Sequence, residues 1–267
     1  MAILGANRHI VVFPSRECGA NCPDCIIGRV VRASRESGRA SSLPLGALPN
    51  LARGIGRNTR VTVEECTHPQ FFKLLRGVAL AGPREIVLVT NGRLFTRSQS
   101  SARAFARSLK AAVGGVPVRV MMSVDAQHAG CIAPGAKGVR ALALRAERFR
   151  DAFGAVGVKH GFWTRFAAGV TWAGDPAAVR REFGLPTLAA GSYLGATPAS
   201  PWIDAATYAY LYDSGRVHVS WDGSVHLYFK DFLDGRPAGS ILVEPLDRIM
   251  RRRPLVAAKR LLRRKPV

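Results

Sequence analysis

Short apolar runs alternate along this chain with stretches of helical periodicity, and that alternation limits the fold more than any other feature. Strands are predicted over residues 10–13, 60–64, 85–89, 118–124 and 165–171, and helices over 68–80, 98–113, 138–153 and 176–183. Strands separated by a helix pair in parallel, so the pattern predicts an α/β fold built on a parallel sheet or an open barrel. In such folds ligands gather where the strands end. With 267 residues, 48% of them hydrophobic, the chain can bury a large core as one α/β domain or two small ones.

Two regions break the alternation. Residues 28–56 are rich in Arg, Ser and Gly with no clear period, which predicts a long and partly mobile connection. After about Gly191 the character changes: residues 217–220 and 225–229 alternate and are joined by Trp221-Asp222-Gly223-Ser224, a hairpin signal, and helical spacing resumes over 245–250. No internal repeat is present. No apolar run approaches the roughly 20 residues of a membrane span, and the N-terminal apolar stretch is cut short by Pro14, unlike a signal peptide. A cytoplasmic protein is expected.

The formal net charge is +21, from 39 Lys plus Arg against 18 Asp plus Glu. A field of that size attracts polyanions, whether nucleic acid, an anionic membrane or an acidic peptide, and composition does not choose among them. The densest basic run is at the C-terminal end, where Arg251 to Arg253, Lys259, Arg260 and Arg263 to Lys265 interleave with Leu255, Val256, Leu261 and Leu262. That spacing suits a basic amphipathic helix.

Three of the five cysteines crowd into Cys18-Gly19-Ala20-Asn21-Cys22-Pro23-Asp24-Cys25, just after the first predicted strand. An odd count so clustered reads as reduced metal ligands rather than a disulfide framework. Three thiolates hold three corners of a metal centre and leave one position for something else. Zinc with Cys66, Cys131, His68 or His128 as fourth ligand is one solution; an iron-sulfur cluster with an open iron fits better. Other chemically suggestive groups also follow predicted strands: Glu64 and Glu65, then Thr90-Asn91-Gly92, then Ser123-Val124-Asp125. All of them should converge on one mouth.

The Cys-x3-Cys-x2-Cys spacing resembles the signature of the radical S-adenosylmethionine enzymes. Thr62-Val63-Glu64-Glu65-Cys66-Thr67-His68-Pro69 is similar to that family's Gly-Gly-Glu-Pro stretch with its following His-Pro, Thr90-Asn91-Gly92 to the end of its third strand, and Ser123-Val124-Asp125 to its Ser-x-Asp. The resemblance implies a partial (β/α)6 TIM-like barrel over residues 1–200, with a small hairpin-plus-helix extension over 201–267. It also implies that Cys18, Cys22 and Cys25 hold a 4Fe-4S cluster, and that Glu64, Asn91, Ser123 and Asp125 contact S-adenosylmethionine. The activity implied is reductive cleavage of that cofactor to a 5'-deoxyadenosyl radical that abstracts hydrogen, with flavodoxin or ferredoxin as reductant.

The extension resembles those of peptide-modifying members, which implies a peptide or natural-product substrate. No cysteine follows Cys131, so a single cluster is expected; should a hydrogen be returned to the substrate, Cys131 is the thiol on the mouth side that could donate it. Residues suggested for lining the mouth include His160, Trp163 and Tyr228. The chain departs from the family pattern at Thr62 and Val63, where glycines are usual, at Glu65, where proline is usual, and at Asp24, where an aromatic residue is common. Two other readings stay open: modification of RNA, which the basic surface would serve, and a non-catalytic metal-binding relic.

Overall fold

Every second residue of the apolar strands is driven to the same side, and that side is where all the longer helices pack. The fold, taken from a computed structural model that describes residues 8–18, 30, 31, 35, 38, 40–124, 126–163, 216–233 and 235–252, is α/β with one mixed eight-stranded sheet. Strands β1 (Arg8–Val12), β2 (Thr59–Glu64), β3 (Glu85–Thr90), β4 (Val118–Ser123) and β5 (Lys159–Trp163) lie side by side in chain order, all parallel. On the other flank of β1, β6 (Arg216–Val219) also pairs in parallel, and β7 (Ser224–His226) and β8 (Gly239–Ser240) continue antiparallel. Among the described residues the sheet is open, with β5 and β8 at its edges.

The connections carry α1 (Leu48–Ala52, preceded by a 3-10 turn over Leu45–Ala47), α2 (Phe71–Leu80), α3 (Gln99–Val113), and the pair α4 (Ala126–Gly130) and α5 (Gly135–Ala155). Two short helices, α6 (Phe229–Leu233) and α7 (Leu246–Met250), flank β8. Ile10, Val12, Val61, Val63, Ile86, Leu88, Val120 and Met122 share one buried cluster with Leu51 of α1, Leu74 of α2, Leu109 of α3, Phe149 of α5 and Ile249 of α7. Parallel crossovers of one hand put successive helices on the same face when the strands follow chain order. Each such buried side chain contributes roughly 1.5–3 kcal/mol through water exclusion.

The opposite face is mostly polar. His9 Nε2 lies 2.7 Å from Thr62 Oγ1, and Glu85 joins Arg60 at 3.0 Å to Arg119 at 3.2 Å. Val87, Val89 and Met121 also lie on this face, and toward β6 Val11, Phe13, Trp221 and Phe232 form a separate apolar cluster in which Phe13 stacks on Phe232 at 4.7 Å. His9 is held down to about 4 by burial first and then by the charges of Arg216 and Arg60.

Helices at 68–80, 98–113 and 138–153 form within a few residues of expectation, and α3 starts on Ser98, whose Oγ accepts from the Ser101 N–H at 3.1 Å. The Asp-Gly hairpin is present, with Gly223 at φ 79° and Asp222 Oδ1 accepting from Ser224 N–H at 3.0 Å. Two expectations change. The connection over 28–56 is not loose throughout: Leu43, Ala47 and Leu51 are buried in the main core, because α1 closes the bottom of the α2 and α7 packing. A strand that was not expected forms at Lys159–Trp163; the stretches expected at 165–171 and 176–183, and the basic run after Arg252, lie outside the described residues. No helix among the described residues is long and apolar enough to cross a membrane.

Leu51→Ala should therefore cost about 2–5 kcal/mol in urea unfolding, the range for emptying a buried leucine site, whereas a loop position would be near neutral. A second expectation concerns acid. Because His9 takes up a proton in the unfolded chain near 6.5 but only near 4 when folded, it removes stability as pH falls through that window. His9→Gln should remove a rise of unfolding midpoint with pH between those values, so that the variant's slope is the less positive of the two.

Candidate active site at the strand ends

Beyond β1 the chain turns at Phe13-Pro14 and is met by the returning segment, with Leu43 N–H donating to Pro14 O at 2.9 Å and Arg16 N–H to Ser41 O at 3.0 Å. The excursion that carries the cysteines thus leaves and rejoins the fold at one point, beside the C-terminal ends of β1 and β2. Cys18 is at its base. Thr67 Oγ1 donates to the Glu17 carbonyl, tying the residue before Cys18 to the loop after β2. Cys22, Asp24 and Cys25 lie outside the described residues, as does Asp125.

The third strand supplies the partner of Cys18. Asn91 Oδ1 accepts from Arg93 N–H at 2.9 Å, a local turn bond that fixes which end of the amide faces outward. Its Nδ2 therefore points the other way and donates to Cys18 Sγ at 3.6 Å. Gly92 follows at φ 69°, and a Cβ there would meet Met122 Cε at 2.9 Å, so both the backbone and the neighbouring strand demand glycine.

Glu65 is the only non-glycine residue with positive φ among the described residues, at 69°. Such a conformation costs a side chain of this kind of order 1 kcal/mol and persists where its surroundings fix it. Here the Asn91 N–H donates to Glu65 Oε1 at 3.0 Å, and the Glu65 N–H donates to Val89 O at 2.7 Å. Withdrawal from water pushes its carboxyl up to about 7, against the pull of the Asn91 N–H, His128 and the Cys66 N–H. The sequence pattern marks this position only as a missing proline. A pair of glutamates ending a strand was the available signal that one of them bonds back to the next strand.

Glu64 ends β2 beside Val89, on the same polar face as Thr62, and Ser123 ends β4 on that face beside Trp163. Cys131 sits in the turn between α4 and α5 and lines a small cavity with Asn91, Arg93 and His128. That turn is tight enough that a Cβ on Gly138 would run into the carbonyls of Ala129 and Ala133. A larger cavity of about 410 Å³ adjoins it, lined by Glu17, Cys18, Thr67, Asn91, Arg93 and Arg97 among others. The mouth thus gathers Cys18, Asn91 and Glu65 into direct contact, with Glu64, Ser123 and Cys131 around it.

Several other residues prove structural. His68 Nδ1 accepts from Gln70 N–H at 2.9 Å, which puts the proton on Nε2, and Nε2 donates to Leu43 O at 2.8 Å. Both ring nitrogens are used. Burial and the neighbouring Glu65 push the Cys66 thiol up to about 12, with Thr90 Oγ1 at 3.5 Å. His160 pairs in register with Val120 on the helix-packed face, its ring edge-on to Phe149 at 5.8 Å, and Tyr228 is buried in the main core; neither faces the mouth. Among the described residues no group of three or more His, Cys, Asp or Glu side chains converges on a point that could hold a metal ion.

No protein-family model matches the chain, and no curated protein matches it.

The Glu65 carboxyl gives the site a pH signature. Its folded value of about 7 lies above the ordinary 4.5, so the native protein holds the proton longer than the unfolded chain and loses stability as pH rises through that interval. Glu65→Gln keeps an acceptor for Asn91 N–H and cannot ionise. In a His9→Gln background, which removes the opposite slope of that histidine, the urea midpoint should drop from pH 5 to pH 8 with Glu65 in place and stay level with Glu65→Gln.

Proposed function

We propose that the chain is a radical S-adenosylmethionine enzyme with one 4Fe-4S cluster held by Cys18, Cys22 and Cys25, acting on a peptide or natural-product substrate. The observation that carries this reading is the 3.6 Å contact from the oriented Asn91 amide to Cys18. An N–H aimed at sulfur favours the thiolate, the form that ligates iron, and it links the cysteine excursion to the Thr90-Asn91-Gly92 strand end. When bound, the cluster and S-adenosylmethionine supply one-electron cleavage to a 5'-deoxyadenosyl radical.

The donor chemistry suits the cluster. Three thiolates leave one corner of a cluster open, and of the candidate fourth ligands for zinc His68 has both ring nitrogens engaged. Glu64, on the polar face at the end of β2, is the carboxylate for the cofactor's ammonium. Ser123 ends the strand two places along, with Asp125 following it. Glu65 takes a supporting role: by accepting from the Asn91 backbone it fixes the loop that aims the amide at Cys18. Cys131, in the cavity next to Asn91, is the thiol that would return a hydrogen to a substrate radical.

The fold reading that belongs with this function is a partial (β/α)6 barrel. Five parallel strands in chain order, with the longer helices that connect them on one face among the described residues, support it, because a doubly wound sheet would place such helices on both. The polar face carrying His9, Thr62 and the Arg60, Glu85 and Arg119 triad would then be the interior. Such an enzyme works in the cytoplasm with a flavodoxin or ferredoxin as one-electron donor.

Anaerobic reconstitution of the full chain with iron and sulfide should give a brown four-iron chromophore that Cys18→Ala, Cys22→Ala and Cys25→Ala each abolish. Dithionite and S-adenosylmethionine should then yield 5'-deoxyadenosine. Asn91→Ala should slow that yield by about tenfold, the worth of one hydrogen bond to a charged group. A chromophore that survives loss of all three cysteines would sink the proposal.

A further inference from the structure

A second apolar cluster stands at the mouth end of the sheet, apart from the main core. Phe13 follows β1 directly, its N–H donating to Val219 O of β6 at 2.8 Å, and Trp221 lies just beyond β6. The short helix α6 brings Phe232 onto both. Its ring stacks on Phe13 at 4.7 Å and stands edge-on to Trp221 at 6.2 Å and to His226 at 5.4 Å. Phe13, Trp221 and Phe232 are all buried. The residues that complete the cluster come from a distant part of the chain: Val30 and Val31, five and six positions past Cys25, pack against it.

The cysteine excursion is therefore held at two places. At its base Arg16 N–H donates to Ser41 O, Thr67 Oγ1 to Glu17 O, and Asn91 Nδ2 to Cys18 Sγ at 3.6 Å. The second hold is apolar, lies past Cys25, and is made on the C-terminal hairpin and α6. Cys18, Cys22 and Cys25 all fall between the two. The ion pair from Arg35 to Glu17, at 3.2 Å, is exposed and adds little. Ordering a chain segment costs conformational entropy, so a loop pinned at both ends has less freedom to give up when its side chains meet on one ligand. Neither Trp221 nor Phe232 lines a cavity at the mouth, so any effect they have on the site passes through the chain they hold.

We propose that the C-terminal hairpin and α6 are the far anchor of the cysteine excursion, with Trp221 and Phe232 as positioning residues that let Cys18, Cys22 and Cys25 ligate one centre. The inference rests on reading those cysteines as ligands. An apolar anchor suits the task, because it offers no donor atom that would compete with the thiolates. Groups that orient metal ligands without touching the metal are commonly worth about 10–100-fold in affinity. The extension, which contains no cysteine, thereby takes part in a metal site to which it gives no ligand.

Anaerobic titration of the full chain with Co(II) tests this apart from any radical chemistry, since thiolate-to-cobalt absorption reports whether the cysteines gather on one ion. Phe232→Ala should weaken cobalt binding about tenfold or more, and so should Val30→Ser/Val31→Ser, which leaves the extension intact and serves where the first variant fails to fold. Amide hydrogen exchange at Val30 and Val31, measured without metal, should quicken about tenfold in Phe232→Ala through local opening, and Phe232→Leu should restore most of both quantities. Leu51→Ala, in the main core, should change either by less than about twofold although it lowers the urea midpoint. Unchanged cobalt affinity in the anchor variants, a loss without faster exchange, or an equal loss in Leu51→Ala overturns the anchor alone. Cobalt absorption no stronger in the wild type than in Cys18→Ala/Cys22→Ala/Cys25→Ala overturns the ligand reading and the anchor with it. Cobalt binding that follows these expectations while iron and sulfide give no cluster overturns the radical reading alone.

Discussion

Everything in this molecule follows from placing buried apolar residues at alternate positions of parallel strands, while the intervening positions carry most of the strands' polar groups. Ile10, Val61, Ile86 and Val120 drive the helices onto one face, and the same alternation puts His9, Thr62, Glu85 and Arg119 on the other. Water exclusion works on one side only. The polar side must then satisfy its own groups, which it does across strands: His9 with Thr62, and Glu85 between two arginines. Because the strands run parallel, every connection from a strand to its helix emerges at the same end, so residues far apart in the chain arrive together.

That convergence is visible at Asn91. Its backbone N–H is taken by Glu65 from the loop after β2, its side-chain oxygen by Arg93 of its own loop, and its side-chain nitrogen by Cys18 from the loop after β1. Three strand ends meet through one residue. The bonds depend on one another: the Arg93 contact orients the amide, and the Glu65 contact pins the backbone from which it projects. Gly92 completes the arrangement, since no side chain could stand between this loop and Met122.

How much of this the sequence disclosed depended on whether the cause was local. The amphipathic helices α2, α3 and α5 and the Asp-Gly hairpin are fixed by periodicity and turn chemistry within the segment, and they appear where expected. The segment over 43–55 was hidden because its burial is set from outside: Leu43, Ala47 and Leu51 recur every four residues only over a short stretch broken by Pro44 and Pro49, and become core when α2 and α7 cover them. At the site, the strand-end residues were legible as types, because Asn-Gly and Glu-Glu after apolar runs are unusual. Their partners were not legible. That Glu65 rather than Glu64 bonds to Asn91 depends on a positive φ at Glu65, a backbone choice that the neighbouring strand enforces.

The charge of the chain takes on a different meaning once its placement is known. A net +21 spread evenly would act as a general attraction for polyanions, screened beyond about 8 Å at physiological salt. Arg60, Arg119, Arg248 and Arg252 are largely spent on structural pairs with Glu85 and Glu244. Arg97 and Arg145 are not, and they stand where the cavities open toward Cys18 and Cys131. A positive field at that point acts on any anionic group that enters the space beside Cys18. With 39 Lys plus Arg against 18 Asp plus Glu, most arginines of this chain can have no carboxylate partner, so it is the position of Arg97 and Arg145 at the strand ends that bears on the site.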